Sequence, residues 1–411
     1  NIKRKETCDN WLPNYHTSRI MEQFEQADRM KNAPLSRIRE IIDLSAKLER
    51  EGKPIIHLEI GEPDFDTPQH IIDEGKLALN QQDVHYGPVV GTIEIRDSIA
   101  EFYKKTYGLE YVPEETLITH GVAHGLFLAM MAYLNPGDEI LVPDPGYLCY
   151  FTIPNIAGAK AVSYHLNADN SYQIEEGNIR NLITPKTKAI LLNSPSNPCG
   201  FLLDRKSLEI AARLAKEYNL LIISDDVYSQ MIYDDNKFET IASIPDMRER
   251  TIILNGFSKY YAMTGWRIGY IVCDKSLMDP LMRLSFYSIS CPNTFVQRAA
   301  VSALKEDDRA SREMVAEYQR RRDYMCRELN MLKGCRCDKP SGAFYIFLDI
   351  RETGLSSEAF CQLMLNKHFV TMTPGHVFGD NCEGFVRISY ANSMENLKIA
   401  MKRMNEALET L

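Results

Sequence analysis

Three residues in one short stretch could do covalent chemistry. In 251–273, T-I-I-L-N-G-F-S-K-Y-Y-A-M-T-G-W-R-I-G-Y-I-V-C, Ser258, Lys259 and Arg267 stand between two apolar runs, with Gly256, Gly265 and Gly269 spaced among them. A lysine amine held partly out of water has a lowered pKa and forms Schiff bases with carbonyl compounds. A guanidinium matches phosphate oxygens in pairs, and a nearby hydroxyl adds a donor. The trio suits a ligand carrying both an aldehyde and a phosphate. The competing reading is a solvated surface loop, where most lysines sit.

Other residues invite the same question. N-L-L-I-I-S-D-D-V-Y is an apolar strand ending in Asp225 and Asp226, followed by Tyr228. Carboxylates at a buried strand end are costly unless a cation or metal meets them. One strand end offers too few ligands for a metal. In G-F-V-R-I-S-Y-A-N-S, Arg387 is a charge among apolar neighbours, suited to a carboxylate ligand or to a structural salt bridge. I-T-H-G-V-A-H-G reads as strand, tight turn and helix, which offers the amides of Gly121, Val122 and Ala123 to an anion. His120 and His124 flank this turn without a third ligand, so they read as structural. Asn197 lies between two prolines in N-S-P-S-N-P-C-G, where X-Pro bonds suit the cis form. Tyr147, after the strand D-E-I-L-V-P-D, could stack its ring on a planar heterocycle or simply pack.

These elements must hold the residues together. The runs 251–254 and 268–273 read as buried strands bracketing the lysine. Strands and helices alternate from 117 to 300, which implies an α/β fold with a doubly wound, mainly parallel sheet. The spacing predicts helices over 35–50, 71–80, 93–107, 307–331 and 394–408, and strands at 340–349 and 384–393. Residues 1–32, with Trp11, Tyr15 and Phe24, read as an N-terminal arm.

The segment S-K-Y-Y-A-M-T-G-W-R-I-G-Y resembles the lysine loop of fold-type I aminotransferases dependent on pyridoxal 5'-phosphate (PLP). The likeness is to the class I/II, aspartate aminotransferase-like group in its bacterial-type branch. Seven motifs, in family order, extend it from about residue 35 to the C-terminus. The resemblance implies that Lys259 carries the cofactor. It implies that Ser258, Arg267, Val122 and Ala123 hold its phosphate, with Tyr86 of H-Y-G-P-V-V-G reaching across from a neighbouring subunit. It further implies that Asp225 pairs with the pyridine nitrogen, Tyr228 and Asn197 bond the ring oxygen, and Tyr147 stacks on the ring. Gly61 of G-E-P-D-F, Asn197 and Arg387 would receive the substrate carboxylate. Cys199 departs from the family's usual threonine, and Asp226 from its glutamate. The implied domains are a large cofactor-binding one over 69–303 and a small α+β one formed by 33–68 together with 304–411. A homodimer with shared sites follows from Tyr86.

Bulk properties agree. With 411 residues the chain can bury ample core, and 45% apolar with 25% charged residues is ordinary for a globular protein. A net charge of −9 disfavours a general nucleic-acid or membrane-surface binder. Ten scattered cysteines lack paired metal or redox spacing, so reduced thiols of a cytoplasmic protein are expected. No metal, membrane span or signal-peptide pattern is expected.

The expected function is transfer of an amino group from an L-amino acid to a 2-oxo acid with ping-pong kinetics. A lyase, cyclase or synthase on the same fold is the alternative, distinguished by products released without an acceptor. A non-catalytic sensor would need a basic helix-turn-helix, and the first 32 residues carry none. The donor stays open. Where acid-specific relatives place a distal cation, Ala123 and Leu284 stand here, with Arg283 one residue off, so strict aspartate specificity is not expected.

Overall fold

The computed structural model describes residues 25–33 and 37–410. In chain order its elements are α1 (Arg37–Arg50), β1 (Ile56–His57), α2 (Gln69–Asn80), α3 (Ile93–Tyr107), β2 (Thr116–Thr119), α4 (Val122–Tyr133), β3 (Glu139–Asp144), α5 (Cys149–Ile156), β4 (Lys160–His165), α6 (Glu176–Arg180), β5 (Thr187–Asn193), α7 (Arg205–Glu217), β6 (Leu221–Asp225), β7 (Thr251–Gly256), β8 (Gly269–Val272), α8 (Lys275–Ile289), α9 (Thr294–Lys305), α10 (Arg309–Leu329), β9 (Tyr345–Asp349), α11 (Ser357–His368), β10 (Val370–Thr371), β11 (Thr373–Pro374), β12 (Phe385–Ser389) and α12 (Met394–Glu409).

Seven strands form the main sheet in the order β2-β8-β7-β6-β5-β3-β4. The pairs from β4 through β7 are parallel, and β8 runs against both its neighbours, β7 and β2. Their sequences explain the layering. I-L-L in β5, L-I-I in β6 and T-I-I-L in β7 are apolar on both faces, and all are buried or nearly so. Such strands need helices above and below. On one side α7 supplies Leu208, Leu214 and Ala215, and its first turn is capped by Asp204 accepting from the Ser207 amide. On the other side α4 packs Leu126, Leu128 and Met130.

The strand order reverses between β5 and β3. In open α/β sheets ligands bind outside the carboxyl ends at such a reversal. Asp225 ends β6, and Tyr147, Asn197 and Lys259 follow the ends of β3, β5 and β7. A three-stranded sheet, β11-β12-β9, and the short pair β1-β10 lie outside it. β1 and β10 join chain segments more than 300 residues apart, Ile56 opposite Val370. One buried cluster runs continuously from α3 and β8 into β9, β12 and α12.

The expected helix over 35–50 is described from Arg37. The aromatics of the expected arm, Trp11, Tyr15 and Phe24, lie outside the described residues, while Asp28–Asn32 forms a 3-10 turn against α5. Helix α8 begins at Lys275, where Asp274 caps it by accepting from the Ser276 amide, and it accommodates Pro280. Among the described residues three X-Pro bonds are cis: Asp144–Pro145, Ser194–Pro195 and Asn197–Pro198. Among the described residues no helix is long and apolar enough to cross a membrane.

Candidate active site

The loop between β7 and β8 is held from two sides. Gly256 and Gly269 face each other in the ladder, and a Cβ on Gly269 would stand 2.8 Å from the carbonyl carbon of Gly121 and 2.9 Å from the Val122 amide nitrogen. The absent side chain lets the first turn of α4 rest on the β7–β8 pair. From the other side the segment 61–67 clamps the loop. Thr67 donates to the Ala262 carbonyl (2.6 Å), Trp266 donates to Thr67 (3.1 Å), and Thr264 bonds Glu62. Ala262 and Arg267 adopt the left-handed region, with φ of 49° and 54°. Non-glycine residues take that conformation at a cost, and such strain clusters at functional sites.

Lys259 projects into a cleft of about 590 Å³. Its Nζ donates to the Gly61 carbonyl at 2.7 Å. Burial lowers its pKa to about 8, with Glu62 opposing and the Arg387 and Arg267 charges reinforcing the shift. An amine so placed is partly unprotonated near neutral pH and competent as a nucleophile.

Two guanidinium groups line the same cleft with neutral partners. Arg267 donates to the carbonyls of Thr264 (2.8 Å) and His120 (3.4 Å). A Cβ on Gly121 would lie 2.5 Å from Arg267 Nη2, so the amide end of α4 and this guanidinium converge because residue 121 has no side chain. Arg387, only 3% exposed, donates to Asn197 Oδ1 (3.1 Å), the Glu59 carbonyl and Thr373 Oγ1 (3.4 Å). Its Nε has no partner among the described residues, and its guanidinium lies 4.7 Å from the Tyr345 ring centre. Buried charges are normally paired with an opposite charge. A cleft holding two cations on neutral acceptors suits anionic ligands at two places.

Asp225, at the end of β6, is buried and accepts from Tyr150 Oη (2.7 Å) and the Val227 amide (3.3 Å). Burial pushes its pKa up to about 6 against those bonds. Asp226 turns instead to Ser224 (2.6 Å) and Thr240 (3.5 Å), and burial raises it to about 7. Tyr228 shares a hydrogen bond with Tyr345 (2.8 Å).

The structure thus brings Gly61, Val122, Ala123, Tyr147, Asn197, Asp225, Tyr228, Ser258, Lys259, Arg267 and Arg387 to one cleft. Tyr86 is not among them, and its side chain is 91% exposed. His124 accepts from the His120 amide (3.2 Å) and meets Ser288 (3.0 Å), which ties the turn to α8. Sequence reasoning missed Tyr150, Tyr345, Glu62 and Arg39, all of which line the cleft. The G-E-P-D-F turn was a signal for Glu62, but Tyr150 and Tyr345 sit in apolar runs that read as core.

A family model described as aminotransferase class I and II matches residues 53–404. The chain belongs to the class I and II aminotransferases. The aspartate aminotransferase of Pyrococcus abyssi is 42% identical over 385 residues, covering 93% of this chain and 98% of that protein. The aromatic-amino-acid aminotransferase 2 of Thermococcus litoralis is 40% identical, with the same coverage of both chains. The solved aspartate aminotransferase of Rhizobium meliloti superposes with a TM-score of 0.90 at 35% identity, covering 94% and 99% of the two chains. The protein is accordingly an aminotransferase with the family's fold-type I α/β architecture, and its cofactor is PLP.

The cleft fits that cofactor. It offers a buried amine partly unprotonated near neutrality, and a guanidinium beside a helix N-terminus that has no anionic partner among the described residues. It also offers a buried carboxylate whose charge a ring N–H would stabilise.

Proposed function

We propose that this aminotransferase moves the amino group of an L-amino acid to a 2-oxo acid in two half-reactions at one site, with ping-pong kinetics. When bound, PLP supplies an aldehyde for the amine and a ring that accepts electrons from the substrate's α-carbon. Lys259 would hold the cofactor through Nζ and, once displaced by substrate, would serve at that atom as the base that takes the α-proton and the acid that gives it back. Asp225 would accept from the ring nitrogen and favour its protonated form. Tyr228 and Asn197 would bond the ring oxygen, and Tyr147 would pack on the ring. Ser258, Arg267 and the amides of Val122 and Ala123 would hold the phosphate, joined by the partner subunit's Tyr86 in a homodimer. Arg387, Asn197 and the Gly61 backbone receive the α-carboxylate, which fixes the α-carbon against Lys259.

In this reading residues 69–303 carry the cofactor, and 33–68 with 304–411 form the smaller domain. The nine described cysteines form no disulfide, in keeping with a cytoplasmic setting. The observation that carries the reading is the pair of guanidinium groups with neutral partners in the same cleft as Lys259. The purified protein should show the visible absorbance band of lysine-bound cofactor. Amino acids added without acceptor should move it to the near-ultraviolet with one equivalent of oxo acid formed. Lys259→Ala should show neither. Catalytic ammonia release without acceptor would replace this reading with a lyase.

A further inference from the structure

The proposed function needs Arg387 open to substrate, yet one residue whose carbonyl meets its guanidinium is itself an acid. Arg387 Nη2 donates to the backbone carbonyl of Glu59, whose side chain is fully buried. A buried carboxylate so near a buried guanidinium ordinarily pairs with it. Here Arg387 makes no ion pair among the described residues, and its acceptors are Asn197, Thr373 and that carbonyl.

Two side chains hold the Glu59 carboxylate elsewhere. Two residues apart in extended chain, His57 and Glu59 point to one side, and His57 Nδ1 meets Glu59 Oε1 at 2.7 Å. Thr371, opposite His57 in the β1–β10 pair, donates its hydroxyl to Glu59 Oε2. The other ring nitrogen, Nε2, meets Glu49 Oε1 of α1 at 3.0 Å. Carboxylate oxygens only accept, so both ring nitrogens donate and the ring is an imidazolium. Burial opposes that charge, but the bonds to Glu59 and Glu49 raise the His57 pKa to about 9. The backbone is fixed as well: Leu58 donates to the Thr371 carbonyl (3.1 Å) and Asn392 to that of His57 (3.0 Å).

Resting on the reading above, we propose that His57 is a positioning residue for the substrate carboxylate: with Thr371 it holds the Glu59 side chain off Arg387, which keeps that guanidinium open. The imidazolium also offsets the negative charge that an incoming carboxylate would otherwise meet. Stripped of these restraints, Glu59 turns to the guanidinium beside its own backbone and stands where the substrate's carboxylate belongs. Every amino acid carries an α-carboxylate, so the effect is the same for all donors. It falls on binding rather than on proton transfer at Lys259.

The test uses holoenzyme in single-donor half-reactions with L-glutamate and L-phenylalanine. His57→Leu should raise KM at least about tenfold for both, with kcat changed less than about threefold. Thr371→Val, which removes the other restraint, should raise both by a smaller factor. Glu59→Gln added to either variant should bring KM back to within about threefold of wild type, which a merely structural loss would not allow. Binding of 3-phenylpropanoate, a carboxylate with no amino group to transfer, should follow the same order in calorimetric titration. An unchanged KM in His57→Leu, a rise for one donor alone, or a rise that Glu59→Gln does not reverse overturns the proposal. If His57→Leu fails to fold, Thr371→Val with and without Glu59→Gln decides it by the same criteria. Failure of the underlying reading looks different: Arg387→Lys would leave the KM of both donors unchanged.

Discussion

A lysine that attacks an aldehyde near neutral pH must give up its proton without leaving the protein, and burial among cations achieves this for Lys259 at a cost in stability. Its pKa falls to about 8 in the fold, against an ordinary 10.5. Below pH 8 both folded and unfolded chains carry the charge, and the folded one bears the full desolvation penalty. Between 8 and 10.5 the unfolded chain binds a proton that the folded chain has released, so stability rises with pH across that window. Cofactor-free Lys259→Met should therefore be more stable than cofactor-free wild type at pH 7, by on the order of 1–3 kcal/mol. The advantage should shrink above pH 8 and be gone by about pH 10.5. Thermal melts of both apo proteins at the two pH values measure it; a Met variant no more stable at pH 7 refutes it. The residues that read clearly in the sequence were those whose type was expensive where it stood. Asp225 at a buried strand end and Arg387 among valine and isoleucine advertise a partner. Tyr345 and Tyr150 did not, since an aromatic in an apolar run is at home, and only packing turns Tyr345 toward Tyr228 and Arg387.

Between the residues and the whole stands the contact of the α4 first turn with the β7–β8 pair. The sequence showed the strands, the turn and the helix separately, because each has its own period and punctuation. It could not show that Gly269 and Gly121 touch, since that depends on sheet order, and β2 and β8 are neighbours across some 150 residues of chain. Helix α8 was obscured for a local reason: Pro280 breaks the pattern inside it. The contact makes a specific prediction. Gly269→Ala puts a methyl within 3 Å of the Gly121–Val122 backbone, which cannot swing aside as a side chain would. The turn must move away from Arg267. The variant should lose about 1–3 kcal/mol of stability, as overpacked sites do. It should also bind PLP at least tenfold more weakly in a spectral titration. Gly177→Ala, on α6 with nothing within 4 Å of the added methyl, should leave affinity alone and gain up to about 1 kcal/mol. Normal PLP affinity in Gly269→Ala would show that α4 is not positioned by this contact.

For the whole molecule, the α/β alternation was legible because parallel strands buried on both faces are apolar throughout, whereas the β1–β10 pairing was not, because nothing local links Ile56 to Val370. The surface poses the last question. Tyr86 and Tyr287 are 91% and 83% exposed, and Val84 and Phe286 are also exposed. Thr294, at the start of α9, donates to the carbonyls of Asp83 (2.7 Å) and His85 (3.4 Å), which holds the tyrosine-bearing turn in place. A pinned turn presenting a bare aromatic suits contact with a second copy. Beside the cleft, a recess of about 640 Å³ between 62–67, α2 and α9 opens onto Arg267, where an incoming phenol could meet the phosphate. If the proposed homodimer shares its sites this way, Lys259 and Tyr86 of one chain belong to different sites of the dimer. Each homodimer should be impaired, the first without its amine and the second with weakened cofactor binding. Co-expressed and purified as a hybrid through two different tags, one site lacks both residues. The other has Lys259 from one chain and the partner subunit's Tyr86, and is intact. The hybrid should regain about half the wild-type activity per dimer, titrating with one tightly held PLP. If Tyr86 instead served its own chain, each site in the hybrid would keep a single defect. Activity would then equal the mean of the two homodimers, and the shared-site dimer would be refuted.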